Sequence, residues 1–141
     1  MREIPSEYII AVAEQLSFVS AFLGGISATI LVTIIVFSSE KRTVNWMVSS
    51  SALAACSLLI AVVASWRLVI LLHPTLPIVI DEFVIKVLWT GMLLGYGLGF
   101  LSLLTCIGIS GWLRSKRDGI ITSTIAVISV IFFMMATPFG V

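Results

Sequence analysis

Glu7 and Glu14 stand seven residues apart in an otherwise apolar stretch, a spacing that sets two carboxylates on one face of a helix, two turns from each other. Below them the same face reads Phe18, Ala21, Gly25 and Ala28, and the adjoining face reads Ser17, Ser20, Gly24 and Ser27. Gathered from several copies of the chain, Glu14 side chains would form a carboxylate ring above a narrow, hydroxyl-lined path, which is an arrangement that attracts cations. Glu7, Glu14, Ser17 and Ser20 are therefore the candidate ion path. The competing expectation is that both acids meet water or headgroups, while the serines bond to backbone carbonyls one turn back.

Arg67 ends a long uncharged run and needs a partner or water. Asp81 and Glu82 are its candidate ion-pair partners, with Glu14 a further one, and snorkelling to the headgroups is the alternative. Glu82 and Lys86 have the favourable order for a pair one helical turn apart. His73 is the single histidine, with no cysteine or second histidine near it, so it lacks the company that a metal site requires. Cys56 and Cys106 fall inside apolar runs at similar depth, where the expectation is small packing residues rather than a disulfide. No Cys-x-x-Cys, histidine cluster, Gly-x-Ser-x-Gly or phosphate loop occurs. The expectation is accordingly no catalytic, cofactor-binding or metal-binding residue, no cofactor, and no enzyme.

The elements that must position these groups follow from where charge is missing. The chain has 141 residues, 60% of them hydrophobic and 11% charged. Uncharged runs cover residues 15–39, 43–66, 87–113 and 119–141. Each exceeds the roughly 20 residues that carry a helix across hydrocarbon. The run 68–80 is shorter and broken by Pro74 and Pro77, which makes it an interfacial loop rather than a fifth span. The fold expected is all-α: an integral-membrane, up-and-down four-helix transmembrane bundle. Residues 1–141 form a single transmembrane domain, with helices at about 6–37, 45–71, 82–113 and 119–137. An acidic N-terminus without a basic leader argues against a cleaved signal, so the first helix is expected to be retained.

Lys41, Arg42, Arg114, Lys116 and Arg117 share one side of such a bundle, against Arg2, Arg67 and Lys86 on the other. That balance places the first and third loops in the cytoplasm and both termini outside. Trp46 and Trp112 mark one boundary and Trp66 and Trp89 the opposite one, as amphipathic rings at headgroup level should. A net charge of +1 with no basic stripe gives no reason to expect nucleic acid.

Small residues recur at helical spacing as Ser50, Ala54, Ser57, Ala61 and Ala64, and again as Gly91, Gly95, Gly99, Ser102 and Cys106. In lipid such stripes let backbones approach closely, so these helices should pack tightly within the subunit or between subunits. A single acid in helix one of a small four-span protein resembles the small multidrug resistance exporters, where that acid exchanges protons for cationic drugs. Their proline–glycine–aromatic motifs have no counterpart here, so Glu14 inherits no role from them. Acids heading a first helix also resemble, in outline, four-helix calcium channels of the Orai type, whose N-terminus is cytoplasmic, opposite to the orientation read here. Two functions remain: an oligomeric channel or transport protein for small cations, and an accessory or scaffolding subunit acting through helix–helix contacts. The expected partners are the lipid bilayer, further copies of the chain, and a membrane-protein partner.

Overall fold

In a computed structural model the chain forms four helices: α1 (Ser6–Phe37), α2 (Arg42–Leu72), α3 (Glu82–Ser110) and α4 (Lys116–Ala136), with a 3-10 turn, Gly111–Leu113, extending α3. The structure describes residues 6–37, 42–72, 82–113 and 115–136. All four helices are long and apolar enough to cross a membrane. The four prolines, Pro5, Pro74, Pro77 and Pro138, all fall outside them, so no span lacks a ladder hydrogen bond or carries a ring clash.

The boundaries differ from the sequence reading in ways that local chemistry explains. α2 continues to Leu72, so the start of the 68–80 run is helical; His73 and Asp81 lie outside the described residues. α4 begins at Lys116 instead of 119, because the Ser115 hydroxyl accepts a hydrogen bond of 3.1 Å from the Asp118 amide and caps the helix there. The end of α3 tightens into the 3-10 turn, which brings Gly111 against α4.

α2 is the central helix and packs along both α1 and α3, while α1 and α3 touch each other only lightly. α4 rests on α3 and on the 3-10 turn, without substantial packing against α1 or α2 among the described residues. The result is a three-helix core with α4 as an outrigger, rather than a closed bundle of four. Ala13 on α1, Ala64 and Leu68 on α2 and Met92 on α3 form a buried cluster, with Ile9, Leu16, Leu88 and Trp89 packed around it. Further along, a Cβ on Gly24 would lie 3.5 Å from that of Leu58, and the Ser51 hydroxyl donates 2.7 Å to the Ser27 carbonyl. These contacts set α1 and α2 antiparallel.

The large side chains that remain outside are apolar: Phe18 is 76% exposed and Phe132 74%. In water such a surface would associate indiscriminately, whereas against acyl chains it costs nothing. Within the helices the hydroxyls are mostly satisfied on their own backbone, as in Ser27 to Leu23, Thr29 to Gly25 and Ser65 to Ala61, at 2.7 to 2.9 Å.

Candidate functional site

The face of α1 turned away from α2 brings together Glu7, Glu14, Phe18, Ala21 and Gly25, all exposed. A neighbouring face, Ala13, Ser20, Gly24 and Ser27, is buried. Successive helical residues turn by 100°, so Ser20 points about a third of a turn away from Glu14. Ser17 is half-buried between the two faces. The four residues of the candidate ion path are thus divided, with two acids outside, one serine at the edge and one inside. Below Glu14 its side of the helix continues through Phe18, Ala21, Gly25 and Ala28, and the exposed serine or threonine hydroxyls of α1 begin only at Thr29 and Thr33. Those two hydroxyls donate to Gly25 and Thr29 carbonyls at 2.9 and 2.8 Å.

Depth follows from helix register. With Gly24 opposite Leu58, Ser27 opposite Ser51, and Ala13 in the cluster with Ala64 and Leu68, Glu14 stands level with Trp66 and Arg67. The residues from Trp46 to Trp66 span about 30 Å at 1.5 Å each, which matches the thickness of a hydrocarbon core. Glu14 is thus level with one end of that apolar length, and Glu7 stands two turns beyond it.

Arg67 and Glu14 are both exposed and do not pair with each other. Glu82 is bound by Lys86 at 3.5 Å, the local pair expected at a helix start. Arg67 instead lines an open groove between α2 and α3, together with Ile60, Val63, Leu71, Val84 and Leu88.

The small-residue stripes separate by position. Gly95 and Gly99 are buried against α2: a Cβ on Gly95 would come within 2.9 Å of the Ser57 carbonyl oxygen and 3.1 Å of the Ala61 nitrogen, and one on Gly99 would strike Leu58. Ala54, Ser57 and Ala61 face them and are buried too. Gly91, in the same stripe, has nothing within 4 Å of where a Cβ would sit. Ser50 is half-buried and donates to the Met47 carbonyl at 3.1 Å. The two cysteines are apart in role: Cys56 is exposed, whereas Cys106 is buried with its sulfur 3.8 Å from the Met47 carbonyl.

No family model, curated protein or solved structure matches the chain. The site's meaning therefore rests on its own geometry.

Three features of the structure were not part of the expectation. Ser51 carries a hydrogen bond from α2 to α1, and Ser20, expected on an ion path, is a buried hydroxyl whose oxygen finds no partner among the described residues. The α3–α4 corner is held by Trp112, whose indole N–H donates to Ser123 at 3.0 Å, and by Thr122 and Ser123, whose hydroxyls reach the Gly108 carbonyl at 3.1 and 3.2 Å. Only the corner had a visible signal: Ser115 followed three residues later by Asp118 is a capping pattern.

Proposed function

We propose that this protein is a multi-pass membrane subunit that acts through helix–helix contacts and self-associates along the outer face of α1. The observation that carries the reading is Gly25. It lies on an exposed face, with no heavy atom within 4 Å of a would-be Cβ, in a shallow depression formed with Ala21, Phe22, Ile26, Thr29 and Ile30. Where lipid is the solvent, helices associate by close packing rather than by escape from water, and small residues one turn apart permit that approach. Ala21 and Gly25 provide this spacing on a surface that the chain itself leaves uncovered. The basic residues support an orientation with the α1–α2 and α3–α4 turns in the cytoplasm.

Glu14 favours a second reading, a small-cation channel or transporter, because it crowns the same face. A ring of copies meeting through α1 would bring several carboxylates together at the outer edge of the membrane. Phe18 and Phe22 below it favour the contact reading over the conducting one.

The deciding experiment is energy transfer between labelled copies reconstituted in vesicles, followed as lipid is added. Self-association through α1 predicts transfer that falls about tenfold sooner on dilution for Gly25→Leu, a loss of roughly 1–2 kcal/mol. Unchanged dilution curves for that variant would remove the α1 interface. Cation flux through wild-type vesicles that Glu14→Gln abolishes would establish the channel instead.

A further inference from the structure

We propose that the groove between α2 and α3 is a binding site for an anionic phospholipid, with the lipid phosphate on Arg67, beside Val84 and Leu88 of α3, and one acyl chain running inward along Val63, Ile60 and Leu59. The groove has a volume of about 500 Å³, and apart from Arg67 its lining is entirely apolar. Arg67 lines this groove with Val84 and Leu88 of α3, whereas Ser51, which bonds across to α1, lies sixteen residues away at about 160° around α2, so the guanidinium is on the flank away from α1. The site is consequently remote from the self-associating face of α1.

Charge and shape select the occupant together. Arg67 stands next to Trp66, at the level where headgroups begin, and among the described residues it forms no ion pair. The acid that begins the facing helix, Glu82, is engaged by Lys86. A planar guanidinium presents paired donors that match phosphate oxygens. From Arg67 back to Leu59 the groove runs about 12 Å along the helix, toward the membrane interior, as an acyl chain does from its headgroup. A zwitterionic lipid fills the apolar part equally well, but its own cation offsets the attraction at the mouth. Phosphatidylglycerol is therefore favoured over phosphatidylcholine by about fivefold, the worth of one basic residue at a membrane surface.

The test is native mass spectrometry of the full chain released from nanodiscs of equimolar phosphatidylglycerol and phosphatidylcholine, counting retained lipid. The wild type should hold one phosphatidylglycerol with that preference. Arg67→Gln should erase the preference, and Val63→Phe, which fills the exposed groove wall, should remove the adduct while the charge remains. Lys86→Gln should change neither. The proposal is overturned if Arg67→Gln keeps the preference, if Lys86→Gln loses it equally, or if no lipid is retained because a second copy covers the groove. It rests on the membrane reading but not on self-association, so Gly25→Leu must leave the adduct intact.

Discussion

The α2–α3 seam and the outer face of α1 are built from the same materials, small residues at intervals of three and four, yet they end in opposite states. At the seam Gly95 and Gly99 are pressed against Ser57, Leu58 and Ala61, with no room for one further methyl group. On α1, Ala21 and Gly25 are exposed, and a side chain added at Gly25 would enter open space. A small residue thus has two physical uses in an apolar solvent: it is either the place where a chain closes on itself or the place where it stays available for another chain. The position of α2 decides between them here, because a central helix flanked by α1 and α3 leaves the far side of α1 uncovered.

The largest effect should come from breaking the closed seam. In Gly95→Leu the new side chain would meet backbone atoms of Ser57 and Ala61, which cannot yield as a flexible side chain can. The expected loss is on the order of 3 kcal/mol, enough to separate α2 from α3, and it is measured as a lowered unfolding midpoint in lipid bicelles. The same substitution at Gly25 should leave that midpoint unchanged and weaken only association between copies. If both variants unfold the monomer equally, the distinction between closed and open glycines fails.

A smaller effect is expected where the obstacle is a ring. A Cβ on Gly119 would fall 2.6 Å from the indole of Trp112, an exposed side chain that can swing aside at the cost of its 3.0 Å hydrogen bond to Ser123. Gly119→Ala should therefore cost about 1–2 kcal/mol, and in a Trp112→Phe background it should cost measurably less. Equal costs in the two backgrounds would show that the backbone of the corner, not the indole, limits the space.

Much of the architecture was legible because the controlling variable, charge, is visible in the sequence. The gaps between charged clusters showed four apolar helices, and Pro5, Pro74 and Pro77 marked the start of α1 and the break after α2. Which face of each helix is buried was harder to read, since α1 and α3 are apolar all round and carry little polar-to-apolar contrast. Glu14 and Ser20 could be assigned to different faces by counting, but which of those faces meets α2 depends on a partner helix that is distant in the chain. Gly91 and Gly95 show the same limit: they share one stripe, yet Gly91 is open and Gly95 closed against Ser57 and Ala61. The start of α4 was available in the Ser115 and Asp118 pattern, whereas the unpartnered hydroxyl of Ser20 had no signal at all.

The smallest effect sharpens the comparison from the polar side. Ser51 is fully buried, and its hydroxyl donates across to the Ser27 carbonyl at 2.7 Å, the one hydrogen bond described between α1 and α2. Hydrogen bonds between membrane helices contribute only about 0.6 kcal/mol on average, because the separated helices satisfy the same groups on their own backbones. The Ser27 hydroxyl already does so on Leu23. Ser51→Ala should therefore cost less than 1 kcal/mol in unfolding measurements, well below Gly95→Leu. A loss of several kcal/mol would mean that polar contacts, rather than close approach of small residues, hold α1 to α2, and the open face of α1 would then have to find its partner by different chemistry from the one its glycine implies.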